Sequence, residues 1–404
     1  MNLSNKLENF LDNEFLTVIK QIGKYADLYG VNAYIIGGAV RDLLLDKPIY
    51  DVDIVVEGNA IKFCQFLQEK QIGEVIKEAE AFCTAKVRFN NKSHLELDFA
   101  STRTESYPLA GHLPVVDKIG CNLKEDIFRR DFRANALALK INKSDFGLLI
   151  DYTNGLEDIE KKELKILHDK SFIDDPTRII RGLRFCHKLG FRFEEQTKCL
   201  KDDYLVTFNN NDICYERIKQ VIKLAFNLNS LALLKDFIND NIWKLICDKL
   251  PDFDMEKLHN AVIFNKKYIS QDNIWLVYFA AFLIFSDVQK FNLSSKEIEI
   301  VDALNTLLQS KKELKSNLDI YNFFKDKPVE SIIAYEAFDK NNYSQKYLSD
   351  LKNIKPIING QSLIKLGFSQ GKIIGDVLNK ILEQKLNSQL TTLEDEINFA
   401  KKFL

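Results

Sequence analysis

The chain holds 404 residues, 46% of them hydrophobic and 28% charged, which is the balance of an ordinary globular protein with length enough for two to four modules. Seven Pro and 16 Gly leave little low-complexity linker, and the seven scattered cysteines form no C-x-x-C pair, which excludes a zinc ribbon or a disulfide framework. A net charge of −2 excludes a protein coated in basic charge but leaves room for a local basic stripe. The longest apolar run, Trp275 to Phe285, is too short to cross a bilayer, and the N-terminal stretch with Glu8, Asp12 and Glu14 has no signal-peptide core. A cytoplasmic protein with no membrane partner is expected.

From Tyr34 to about Leu149, short β-branched runs at Tyr34–Ile36, Val52–Val56, Leu95–Phe99 and Leu148–Ile150 lie between helical stretches such as Ala60–Lys70. This head reads as α+β. Ile35 to Leu45 runs from a strand through Gly37-Gly38 into a helix, a turn that lets backbone N–H groups approach phosphate closely. Just downstream, Tyr50-Asp51-Val52-Asp53 sets two carboxylates two apart on a strand, so both point to one face beside that turn. Two like charges that close call for a cation, and a hard divalent metal, usually Mg²⁺ carrying phosphate, suits oxygen ligands. The plainer alternative is an edge strand with solvated aspartates.

In His94 to Phe99, alternation places Glu96 and Asp98 on the face opposite Leu95, Leu97 and Phe99. Asp98 is then either a third acidic group near the metals or a ligand of a neighbouring arginine. Arg129 and Arg130 supply planar fork donors for phosphate, and Asp131 and Asn135, four apart, can share a helical face and hydrogen-bond a ribose. The alternative is a charged helix start ahead of the apolar run Ala134–Leu139.

After about Gly155 strand signals thin out. Asp175 before Pro176 predicts an N-cap, followed by a helix with Arg178, Arg181 and Arg184 along one side and Ile179, Leu183 and Cys186 opposite. It reads either as capping with solvated charge or as a helix whose N-terminal end faces a base and whose arginines meet phosphate or base edges. Apolar spacing of three and four predicts further helices over Ile213–Phe226, Leu231–Leu245, Asn273–Phe285 and Ser295–Leu308.

Taken in order over Tyr34 to Phe193, these motifs resemble those of the class II tRNA nucleotidyltransferase and bacterial poly(A) polymerase family, the CCA-adding enzymes. The resemblance implies a DNA polymerase β-like nucleotidyltransferase head at 1–150, a helical neck with a nucleotide-template helix at 151–226, a helical body at 227–352 and a tRNA-binding tail at 353–404. It implies that Asp51 and Asp53 are catalytic and hold Mg²⁺, and that Gly37, Gly38, Arg41 and Asp42 take part in holding the triphosphate. Arg130, Asp131 and Asn135 would select ribose, with Arg133 standing where threonine is usual. Asp175 and Arg178 would pair with the incoming base, with Asp174 where glutamate is usual and Arg181 and Arg184 binding the nucleotide along the same helix.

Asp151 to Asp158 resembles the family's acidic hinge, Tyr215-Glu216-Arg217-Ile218 a later helix motif, and Ser101 to Pro114 the loop that helps switch choice from CTP to ATP. Gly360, Lys365, Gly367 and Gly371 fall in a segment like the tail that contacts tRNA. The implied activity is addition of CCA, or of its terminal A, to the tRNA 3′ end from CTP and ATP, by two-metal nucleotidyl transfer without a nucleic-acid template and with release of pyrophosphate. Its neighbours are an A-only or CC-only enzyme working with a partner enzyme, a poly(A) polymerase, and a non-catalytic RNA-binding protein. No protein partner is otherwise implied.

Overall fold

The computed structural model describes residues 1–49, 51–90, 94–109, 111–208, 213–284, 286–310 and 312–404. The chain divides into two compact units, Met1–Arg217 and Ile218–Leu404.

The first unit carries β1 (Ala33–Ile36), β2 (Asp53–Val56), β3 (Gly73–Ala79), β4 (Thr84–Phe89), β5 (Glu96–Ser101), β6 (Arg103–Ser106), β7 (Val115–Ile119), β8 (Ala138–Lys140) and β9 (Leu149–Ile150). Seven of them form one mixed sheet in the order β3-β4-β5-β2-β1-β8-β9, and β6 pairs with β7 in a separate hairpin. Strand β1 lies inside the sheet and is buried along its whole length, which is why it reads as a continuous apolar run. One face of the sheet sends Phe99 against Phe63 of helix Ala60–Glu69, with ring centroids 6.2 Å apart. The other packs Tyr34, Ile36 and Val55 against Leu123 and Ile127 of helix Leu123–Phe128.

Two expectations for this unit need correcting. Strand β2 begins at Asp53, so Asp51 precedes it and the two carboxylates are not both strand residues. Tyr50 lies outside the described residues. The run Ala134–Leu139 is not helical: a 3₁₀ turn at Arg133–Asn135 leads into β8, because pairing with β1 and β9 in the sheet outweighs the helical preference of an alanine-rich stretch.

Helix Thr177–Leu189 follows Asp175 and Pro176 as expected. A Cβ at Gly182 would stand 2.5 Å from the Phe193 ring and 2.9 Å from that of Phe132, so only glycine lets this helix lie so close to the segment carrying Asp131.

The second unit is helical. Every residue of helix Ile274–Phe282 is buried, so the apolar run that the sequence offered as the longest is a core element. Phe285 at its expected end is outside the described residues. The stretch Leu231–Leu245 is not one helix: the α-helix stops at Asn239, Asn241 takes φ 59°, and a 3₁₀ helix covers Ile242–Leu245. A separate small core of Ile358, Leu363, Phe368, Val377, Ile381 and Ala400 holds together the segment that contains Gly360 and Gly371. Among the described residues no helix is long and apolar enough to cross a membrane.

Candidate active site

One cleft of about 790 Å³ in the first unit is lined by Gly37, Gly38, Arg41, Asp42, Asp51, Asp53, Arg130, Asp131, Asn135, Asp175, Arg178, Arg181 and Arg184. These residues, far apart in the sequence, thus converge on one place, while Asp98, Arg133 and Asp174 lie outside the lining. Gly360, Lys365, Gly367 and Gly371 do not converge there: they belong to the second unit, where Lys365, Gly367 and Gly371 are exposed.

At one end stands the glycine turn. Gly37 has φ 76°, a conformation that side chains rarely adopt, and the helix Gly38–Leu44 begins directly after it. Arg41, on this helix, donates to Asp42 Oδ1 at 2.7 and 2.9 Å and also to Asn135 Oδ1. Asp53 is exposed at the cleft, yet the protein around it removes part of its hydration. That desolvation, together with Asp98 and Asp51, raises its pKa above the usual carboxylate value against the pull of Arg130 and Lys86. Such a carboxylate gains from a cation. Asp98 is the register partner of Asp53 across the parallel β2–β5 pair, yet its side chain is held by Lys86 at 3.0 Å, a lysine rather than an arginine, and it does not line the cleft.

In the middle, Asp131 is buried with both oxygens engaged. Oδ1 accepts from Asn135 Nδ2 at 3.1 Å and from the Phe132 backbone N–H at 2.9 Å. Oδ2 accepts from Arg181 Nε at 3.0 Å. Burial pushes its pKa up, but the Arg181 charge and these hydrogen bonds outweigh it and hold the carboxyl below its usual value. The expected meeting of Asp131 and Asn135 therefore occurs, through a 3₁₀ turn instead of an α-helical face. Arg184 has its pKa lowered by burial and by the neighbouring Arg181 and Arg41 charges, which Asp131 offsets only in part.

At the other end, Asp175 and Arg178 are both buried. Asp175 Oδ1 accepts from Thr177 N–H at 3.1 Å and from Thr177 Oγ1 at 2.6 Å, the expected cap, while Oδ2 accepts from Arg217 Nη2 at 2.5 Å. Arg178 donates to Ser171 Oγ at 2.6 Å, to the Arg129 carbonyl at 3.0 Å and to Tyr107 Oη at 3.3 Å. Asp174 lies beside this end without lining the cleft, and its carbonyl accepts from Gly111 N–H at 3.1 Å.

Several lining residues escaped the sequence reading as site residues. Arg217 donates to the Gly111 and His112 carbonyls as well as to Asp175. Glu105 holds Arg103 at 2.7 Å and Arg129 at 3.2 Å. Tyr107, Leu113, Pro114, Phe82 and Lys188 complete the wall. Glu105, Tyr107, Leu113 and Pro114 fall in the Ser101–Pro114 stretch and Arg217 in the Tyr215–Ile218 motif, but their distance in sequence from the glycine turn gave no sign that they share its cleft. A contact such as Arg217 to Asp175, 42 residues apart, leaves no local trace.

Residues 33–165 match the poly A polymerase head domain. An A-adding tRNA nucleotidyltransferase of Geobacter sulfurreducens is 29% identical over 98% of the chain, which spans only 48% of that relative. Another from Halalkalibacterium halodurans is 27% identical over 100% of the chain and 96% of its own length. Among solved structures, the Thermotoga maritima CCA-adding enzyme complexed with tRNA superposes with a TM-score of 0.80 at 28% identity, covering 100% of this chain and 98% of that one. Head, full-length likeness and shared architecture agree: along its whole length the chain is similar to A-adding tRNA nucleotidyltransferases and CCA-adding enzymes.

Proposed function

We propose that this protein is a cytoplasmic tRNA nucleotidyltransferase that adds CCA, or its terminal A, to the tRNA 3′ end from CTP and ATP, with Mg²⁺ as its metal. The observation that carries the proposal is the single cleft in which the glycine turn, the Asp51 and Asp53 carboxylates, the Asp131–Asn135 pair and the Asp175–Arg178 pair meet. No side-chain nucleophile is needed for the transfer, since the attacking group would be the RNA's own 3′-hydroxyl.

That likeness implies dependence on a divalent metal, and the residues present fit one. Asp51 and Asp53 offer hard oxygen donors on the wall of one cleft, and desolvation with the nearby Asp98 and Asp51 charges raises the Asp53 pKa, a cost that a bound cation would offset. Among the described residues no cluster of three or more metal-ligating side chains exists, so further ligands would come from nucleotide phosphate and water. When bound, such ions lower the pKa of the attacking hydroxyl and neutralise the leaving pyrophosphate. The chain's own contribution is placement: Gly37 and Gly38 with Arg41 and Arg130 receive the triphosphate, Asp131 and Asn135 the ribose, and Asp175 and Arg178 the base.

The finer division into head 1–150, neck 151–226, body 227–352 and tail 353–404, with tRNA contacts at Gly360, Lys365, Gly367 and Gly371, belongs to the same proposal. A-only addition is the second reading, favoured by the A-adding relatives that match nearly the whole chain. Transcripts ending before the first C, after one C and after both, offered CTP, ATP or both, separate the readings by product length. No product from any of them would refute the proposed reaction.

A further inference from the structure

Asp126 is fully buried although it carries a charge, and it belongs to none of the residues placed in the site so far. Helix Leu123–Phe128 presents it, started by an Asn122–Glu125 capping box. Its two oxygens are divided between two arginines. Oδ1 accepts from Arg129 at 2.8 and 3.0 Å and from the Arg103 N–H at 3.1 Å. Oδ2 accepts from Arg130 at 2.9 and 3.3 Å. A carboxylate buried this way is tolerable only with such partners, and the forked geometry fixes where each guanidinium points.

Each arginine then reaches a different end of the cleft. Arg130 lies beside the glycine turn, its Nη1 within 3.7 Å of where a Cβ on Gly37 would stand. The Arg129 carbonyl accepts from Arg178 at 3.0 Å, and the Arg129 side chain holds Glu105 at 3.2 Å. One buried carboxylate therefore anchors both the phosphate end and the base end.

We propose that Asp126 is a positioning residue for nucleotidyl transfer, setting Arg130 against the glycine turn and the Arg129 carbonyl under Arg178 so that phosphate and base are held in one register. This rests on the reading of the cleft as a nucleotide site. Misplacement of about 1 Å in such a site costs on the order of 100-fold in rate, so a residue that never touches substrate can still govern it.

The test is Asp126→Asn in the full chain, which keeps the shape and removes the charge. On a tRNA transcript with ATP and CTP, the nucleotide KM should rise about tenfold with a smaller fall in kcat, and misincorporation of UTP and GTP should increase several-fold. Transcript affinity by filter binding should not change. If Asp126 acts on phosphate binding through Arg130, the KM of Asp126→Asn/Arg130→Gln should match that of Arg130→Gln alone within about twofold; independent multiplication of the two effects would overturn the proposal. A lower melting temperature with unchanged KM and selectivity would leave Asp126 a purely structural residue and equally overturn it. Should Asp126→Asn not fold, Arg129→Lys carries the test, since it keeps a cation between Asp126 and Glu105 but loses the fork. Rising misincorporation supports the proposal, and wild-type selectivity refutes it. An inactive wild-type chain, by contrast, would sink the nucleotidyltransferase reading before any variant is compared.

Discussion

Asp175 can be a helix cap, half of an ion pair or a reader of the incoming base, and Asp175→Asn separates these roles. Asparagine keeps an oxygen for the Thr177 N–H and hydroxyl but turns an NH₂ toward Arg217, where two donors then face each other. The pair is buried, the side chains of Arg217 and Asp175 being 19% and 9% exposed, so its loss should destabilise by about 1.5 to 3 kcal/mol. For a unit of 217 residues that is a fall of roughly 3 to 12 °C in melting temperature. Selectivity should fall as well. The amine of cytosine or adenine loses its acceptor, and the carbonyl of uracil or guanine gains a donor, at about 1 to 3 kcal/mol or roughly 5- to 150-fold in discrimination. Single-turnover incorporation of each of the four labelled nucleotides on one tRNA transcript measures this. Arg217→Met is the control, since it breaks the same pair but keeps the carboxylate, and it should lose comparable stability while retaining most discrimination. If Asp175→Asn melts early yet chooses among the four nucleotides as the wild type does, base reading by Asp175 is refuted.

Asp53→Asn should abolish incorporation of both CMP and AMP while transcript binding by filter assay persists, because the metal set is lost and the RNA surface is not; near-normal incorporation would remove Asp53 from the metal site. Asp131→Ala should narrow the preference for ATP over dATP, since the Asp131–Asn135 pair is then broken, and an unchanged ratio in a folded variant would place sugar choice elsewhere. Burial, outweighing Arg133 and Lys165, lifts the Asp158 carboxyl from 3.8 to about 6, and its Oδ2 has no hydrogen-bond partner among the described residues. A folded pKa above the unfolded one favours the protonated form in the fold, so this group's contribution is present below pH 3.8 and lost as pH rises toward 6. Asp158→Asn should remove that slope and raise the melting temperature at pH 7.5; a variant less stable than wild type there would refute it.

What could be read in the sequence was what is local. The glycine turn, the helix start at Asp175 and the alternation in Leu95–Phe99 each fix their conformation within a few residues, and each appears in the structure, the last within strand Glu96–Ser101. Strand β3 was missed because a register shift between Val75 and Lys77 breaks its period of two, whereas β4 was missed although its buried residues alternate regularly. Ala134–Leu139 misled for the opposite reason, since an alanine-rich apolar run suits either element and only the neighbouring strands decide. Arg217 was noted within a helix motif, but its bond to Asp175 depends on the fold. Asp126 lay in plain view three and four residues before the arginines it holds, yet a carboxylate ahead of two arginines reads as an ordinary solvated pair until its burial is known.

The hydrogen bonds that the protein makes to itself determine what the base end has left to offer. A carboxylate has about four acceptor sites and a guanidinium five N–H groups. Asp175 uses three sites, for the Thr177 N–H, the Thr177 hydroxyl and Arg217, so one acceptor remains. Arg178 uses one hydrogen on Nη1 for Ser171 and both on Nη2 for Tyr107 and the Arg129 carbonyl. Its Nε–H and one Nη1–H remain among the described residues. On the proposed reading, the one free acceptor of Asp175 and the free donors of Arg178 would complement an amine next to a ring nitrogen, which is the edge that cytosine and adenine share. Uracil and guanine present a carbonyl next to an N–H, so acceptor would meet acceptor and donor would meet donor. Because both heads are already held by the protein, on that reading neither could rotate away to rescue the wrong base without breaking a buried bond, and the penalty for mismatch would fall on the nucleotide.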